Sequence, residues 1–371
     1  MQIGTDLAAS TIGEFRVQGG GSRMVRRFAL ALAGLVLAVG CGGASGGSGS
    51  APTPGAKATC TNKNVTIAVP VTPPNVVHLP PYVAQDMGIF KDEGLNVTIA
   101  RFEGGVGAFR AMASGSVDLA GTSSEPFITA VSQGADVKAV YSYAPNVDVS
   151  FVVGPNIKTS ADLKGKNIGI QEPGGFADVM SRLVLKKYGI SPSDVKFVTT
   201  TTAGRVTELI AGHVDTGVLH IDQTLAIQAR SPGIHVLANM WEVVSDYQYS
   251  LWAASGNLIR NEPATVECMV RALMRADRAM YDTSRRQQIL DIAVKYTKED
   301  ASVVAQTYDQ LIKAKAWPQN QGIPQANIAG TEKSLKDTGQ ITTVPKFSEL
   351  VDLSMANKVV AQLGKVNNFP Y

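Results

Sequence analysis

The chain has 371 residues, 44% hydrophobic and 18% charged, enough ordinary globular chain to build two lobes with a core each. Its net charge is +3, but residues 1–40 carry Arg16, Arg23, Arg26 and Arg27 against Asp6 and Glu14, so the remainder stands at +1. A near-neutral body excludes the clustered positive charge that nucleic-acid binding requires.

The first element is a targeting segment. "MVRRFALALAGLVLAVGC" starts at Met24, with Arg26 and Arg27 as a positive region and Phe28 to Val39 as an apolar stretch too short to span a bilayer. Small residues before Cys41 resemble the lipobox of bacterial lipoproteins, although Leu37 stands four rather than three residues ahead of the cysteine. Residues 24–40 are therefore expected to be a lipoprotein signal, Cys41 the lipidated residue, and 1–23 an upstream extension of the reading frame. The Gly/Ser/Ala/Pro run that follows reads as a flexible tether over 41–63, with a reach of about 20–25 Å. Cys60 and Cys268 remain; spacing alone leaves open whether they pair or stay separate.

The body alternates strand and helix. "NVTIAVPV" from Asn64, "NVTIARF" from Asn96, "VDLAGT" from Val117 and "VKAVYSYA" from Val137 read as strands, separated by helical stretches. The order then repeats: "NIGIQ", "VKFVTT", "VDTGVLH" and "IHVLAN" are strands with helices between them. Gly115 and Gly212 end equivalent helices, at positions that suit a left-handed cap. This order predicts an α/β fold of two similar doubly wound parallel-sheet lobes. "VSFVVGP" and "YQYSLWAAS" are expected to cross between them. The first lobe is assigned 64–154 plus 247–371, and the second 155–246. The tail from Pro263 is helical by its periodicity and is expected to fold back on the first lobe.

"YVAQDMGIFKDEGLNV", "AMASGSVDLAGTSSEPFITAVSQGADVKAV", "TSADLKGKNIGIQEPGG" and "ELIAGHVDTGV" resemble the solute-binding proteins of ABC importers. Within these, the likeness is to the nitrate, sulfonate and taurine binders and to the thiamine-pyrimidine-precursor binders, over roughly Asn64 to Ser255. The resemblance implies the type II periplasmic-binding-protein architecture, a ligand held between the lobes, and an ABC permease as partner. It implies no cofactor. A monomer is expected, touching the membrane through its lipid anchor alone.

Open parallel sheets bind ligands beyond the carboxyl ends of their strands, which selects the candidate residues. After the first strand stand His78 and Tyr82, either contacts or parts of a Pro-braced loop. Glu103 and Gly104 follow the second strand, where glycine permits close backbone approach. Thr122, Ser123, Ser124 and Glu125 follow the third; they suit a helix cap and face the expected cleft. In the second lobe Gln171, Glu172, Gly174, Gly175 and Phe176 hold the corresponding place, with Phe176 either covering an aromatic ligand or joining the core. Thr201, Thr202, His220 and Asp222 complete the set. Arg205 reads as a solvated helix residue. Tyr143, Asp148, Tyr249 and Trp252 lie near the crossings and read as packing. No two of the four histidines have metal-ligand spacing, so no metal is assigned.

The loops carry Glu103, Glu125, Asp148, Glu172 and Asp222 with few bases, which favours a neutral or amine-bearing ligand over a sulfonate or nitrate. The pyrimidine synthases of yeast type resemble the same fold, but they carry a cysteine-rich motif and this chain has three dispersed cysteines. A sensor subunit is a third reading. The anchor is tested directly: Cys41→Ala should move the protein from the membrane fraction to the soluble one. Retention of the variant after a high-salt wash would contradict lipidation at Cys41.

Overall fold

The computed structural model describes residues 59–369. The signal segment, Cys41 and most of the tether lie outside them. Two five-stranded sheets organise the chain. Strands β1 (Asn64–Val69), β2 (Asn96–Arg101), β3 (Leu119–Ser123) and β4 (Val137–Ala144) belong to the first. Then β5 (Val149–Val153), β6 (Asn167–Ile170), β7 (Lys196–Thr199), β8 (Thr216–His220) and β9 (His235–Asn239) form the second, and β10 (Ser250–Ser255) returns to the first. The orders are β2-β1-β3-β10-β4 and β7-β6-β8-β5-β9.

The two orders match place by place, and the repeat read in the sequence is a repeat of topology. The helices Gly105–Ala113 and Gly204–Ala211 sit at equivalent points. Gly115 and Gly212 follow them, both with φ of +75°, a backbone region that a side chain rarely tolerates.

Each sheet differs from the all-parallel expectation in one strand. β10 pairs antiparallel with β3 and β4, and β5 pairs antiparallel with β8 and β9. Both arrive from the other sheet and enter the fourth place, where they are buried. Thus Val149–Val153, expected at the end of the first lobe, pairs within the second. The segments that actually cross are residues 145–148 and 244–249. They lie side by side, with the Tyr249 N–H donating to the Pro145 carbonyl at 3.2 Å.

The tail packs on the first sheet's helices, but not on them alone. The helix Pro263–Ala279 lies against Pro80–Asp86 and Ser354–Leu363. Buried Arg271 donates to Glu93 at 2.6 Å and to Glu267 at 3.2 Å, and Cys268 is bridged to Cys60. Thr61 and Asn62 also bond to Thr265, so the end of the expected tether is pinned to this helix. Beyond it, Ala301–Lys313 packs on Ile221–Arg230 of the second lobe, and Lys186–Asp337 joins the same lobe at 2.9 Å. Residues of Gln325–Asp337 brace the second crossing: Thr331 accepts from the Gln248 N–H at 2.9 Å, and Asn327 donates to the Tyr247 carbonyl at 3.3 Å. The tail therefore contacts both halves.

The bridge closes a loop of 208 residues. The double variant Cys60→Ala/Cys268→Ala should lose about 2–4 kcal/mol of unfolding free energy, read from the urea midpoint. An unchanged midpoint would mean that the bridge contributes nothing in solution.

Candidate ligand-binding cleft

The carboxyl ends of β1, β3, β6 and β8 converge on one small cavity between the sheets. It is lined by Pro70, Val71, Gly104, Gly105, Ser123, Gln171, Glu172, Phe176, His220, Tyr249 and Ser250. Its volume is about 30 Å³, room for ordered water and too little for an organic molecule. The lobes are in contact around it. Asp222 accepts from Asn75 Nδ2 at 3.0 Å and from the Val76 N–H at 2.9 Å. Glu172 accepts from the Val106 N–H at 2.8 Å, at the start of the helix Gly105–Ala113. A carboxylate of the second lobe thus sits on a helix N-terminus of the first, where free N–H groups and the dipole favour it. A Cβ at 104 would run into that carboxylate, so any side chain there would have to displace Glu172.

The cavity wall is aromatic and polar by turns. Phe176 tilts against Tyr249 with ring centroids 4.4 Å apart. The Tyr249 hydroxyl lies 3.1 Å from His78 Nε2 and 3.4 Å from His220 Nε2. His220 Nδ1 faces both oxygens of Asp148, at 2.9 and 3.0 Å. A carboxylate only accepts, so Nδ1 carries a proton there. His78 is held well below its ordinary pKa, by burial first and by His220 second, and is neutral.

Several expected residues do not reach the cavity. Tyr82 is fully buried against Tyr296 and serves the core. His78 stands behind Tyr249. Glu103 is exposed, and its carbonyl accepts from Thr202 at 3.4 Å. Thr122 donates to the Gly105 carbonyl at 2.9 Å, joining β3 to the start of the helix Gly105–Ala113 in its own lobe. Ser124 is buried, with its N–H on the Tyr249 carbonyl. Gly174 and Gly175 form the turn into the helix Phe176–Lys187. Thr201 caps Gly204 at 2.9 Å, and Thr202 accepts from Gln171 at 3.0 Å. Tyr249 and Ser250 line the cavity although read as packing or passed over, because the register of β10 against β3 brings them beside Ser123.

The charges are arranged differently from the expectation. Glu125 is buried under the Tyr247 hydroxyl, which donates to it, and does not line the cavity. Asp148, Glu172 and Asp222 each have the donors described above. Arg205, expected in solvent, is 2% exposed; its stem crosses the second sheet beside Gly169 and Gly217. Among the described residues it has no hydrogen bond or ion pair, and burial lowers its pKa to about 10.

The family model described as NMT1/THI5 like matches residues 75–285, more than half of the chain. The chain belongs to this family. Putative binding protein YtlA of Bacillus subtilis is 21% identical over 293 residues, covering 78% of this chain and 88% of that one. The yeast 4-amino-5-hydroxymethyl-2-methylpyrimidine phosphate synthase THI13 (Saccharomyces cerevisiae) is 27% identical over 168 residues, 42% of this chain and 48% of the enzyme. Among solved structures, the ligand binding component of an ABC-type import system from Staphylococcus aureus, with zinc bound, superposes with TM-score 0.67 at 14% identity. It covers 80% of this chain and 99% of that one. The periplasmic nitrate-binding protein NrtA of Synechocystis PCC 6803 gives TM-score 0.67 at 11% identity, covering 82% and 90%. These structures fix the fold as that of periplasmic binding proteins.

Glu125 generates a pH prediction. Burial pushes its carboxyl from 4.5 to about 7. The folded protein holds a proton that the unfolded chain releases, so this stabilisation is present below about 4.5 and is lost as pH rises through 7. Glu125→Gln keeps an acceptor for Tyr247 without ionising. Between pH 5 and 8 the wild type should lose up to about 3 kcal/mol relative to this variant, read from urea midpoints. Parallel pH profiles would contradict a buried, proton-holding Glu125.

Proposed function

We propose that this chain is an extracytoplasmic solute-binding protein that closes two lobes over a small organic molecule and delivers it to an ABC permease. The lipid on Cys41 would hold it at the outer face of the membrane. The observation that carries this reading is the convergence of strand ends from both sheets on one cavity, with contacts across it made by Asp222 and Glu172. Binding-protein relatives and the import-system neighbour support it.

With about 30 Å³ between the lobes, a ligand enters only if they part about residues 145–148 and 244–249. Phe176 and Tyr249 offer a flat apolar wall, and Ser123, Gln171 and His220 offer polar edges, a set that suits a compact heterocycle. An amine on the ligand is not favoured, because Glu125 and Glu172 already have donors and Arg205 is buried with no ion pair among the described residues. We favour a ligand with no cationic group.

A catalytic reading of the pyrimidine-synthase kind has one specific support, the yeast relative. Against it, Cys60 and Cys268 are joined, so no cysteine cluster exists among the described residues.

The test is a thermal-shift screen of small heterocycles and organic anions against the full chain, followed by calorimetry on the hits. A ligand at a hundred times its Kd adds about 2.7 kcal/mol to the folded state. Phe176→Ala and His220→Ala should each weaken the hit at least tenfold, about 1.4 kcal/mol, and the compound should be recovered unchanged. A hit bound equally well by both variants, or converted to product, would overturn the reading.

A further inference from the structure

A second cavity lies beside the crossing segments, about 700 Å³ in volume. Both crossings supply its wall, together with the first residue of the helix Ile221–Arg230 and the end of Ala301–Lys313. Its lining is mainly apolar: Val147, Ile221, Trp241, Val244 and Leu311 face it. Trp241 is 44% exposed, an unusual place for a large aromatic surface, and its indole N–H has no hydrogen-bond partner among the described residues.

Two charged residues line this cavity among the described residues, Asp148 and Lys313. The Asp148 carboxylate is turned inward onto His220 and is 6% exposed. Lys313 is exposed and has neither a hydrogen bond nor an ion pair among the described residues. The charge this cavity offers to a guest is therefore positive, at one edge of an apolar floor. The volume falls within the range of about 300–1,000 Å³ typical of small-molecule sites, whereas the cavity in the cleft is far below it.

We propose that this cavity is a second ligand site, for a compact aromatic molecule bearing one anionic group. The ring stacks on Trp241 over Val147, Val244 and Leu311, and the anion meets Lys313. The inference does not depend on what the cleft binds. It bears on the cleft nonetheless, because Asp148 and Tyr247 line this site while their polar atoms contact His220 and Glu125. A guest here touches both segments about which the lobes would move, so binding at the two sites is coupled, and reciprocally.

The probe is 8-anilinonaphthalene-1-sulfonate, an aromatic ring system with a single anionic group, titrated into the full chain and followed by its fluorescence. Saturable binding of one molecule per chain is expected. Trp241→Ala and Lys313→Glu, both at exposed positions, should each raise Kd at least tenfold, while Lys313→Arg stays within threefold of the wild type. Ile210→Ala, at an exposed apolar position that lines neither this cavity nor the one in the cleft, should leave Kd unchanged. Absence of saturable binding, wild-type affinity in Trp241→Ala or Lys313→Glu, or loss of binding in Ile210→Ala would overturn the proposal.

Discussion

The chain must pass between its two sheets twice, and each passage ends by inserting a strand inside a sheet rather than at its edge. β5 and β10 each have hydrogen-bonded neighbours on both sides. Removing either would leave two rows of backbone groups unpaired in a buried layer, at a cost no loop can offset. The positions of Asp148, Tyr247 and Tyr249 follow from this, since all three sit at the mouths of the inserted strands. So does the closeness of the crossings, bonded to each other through Tyr249 and Pro145.

Electrostatics in the cleft follow from the same geometry. Carboxylates stand at the strand ends of the second lobe, opposite helix starts of the first, and they take the backbone N–H groups presented there. Glu172 and Asp222 are consequently contacts between lobes. Burial raises the pKa of both, while the donors opposite them pull the other way. Arg205 shows the converse case: two glycines in β6 and β8 open a path for its stem, and the guanidinium is buried with no acid beside it. A buried cation without a partner is costly.

The tail adds rigidity where the crossings alone would supply little. Arg271 with Glu93 and Glu267, and the bridge from Cys268 to Cys60, fix its first helix to the first lobe. Later helices reach the second lobe and the second crossing through Asp337, Asn327 and Thr331. Movement between lobes would have to displace these contacts as well as those of Asp222 and Glu172.

The sequence by itself determined the order of strands and helices, the repeat of that order and the glycines that end equivalent helices, because each rests on local periodicity and on the conformations open to one residue. It also picked out Ser123, Gln171, Glu172, Phe176 and His220, since strand ends in such sheets point at a common crevice. Only the tertiary structure decided that β5 belongs to the second sheet, that Arg205 is buried, that Glu125 serves Tyr247, and that Cys60 meets Cys268. Those outcomes depend on partners distant in the chain: 122 residues separate Glu125 from Tyr247, and 147 separate Asn75 from Asp222. Periodicity carries no information on which distant group a buried polar atom will meet. That is settled when the sheets pack and every donor and acceptor left without water must find a neighbour.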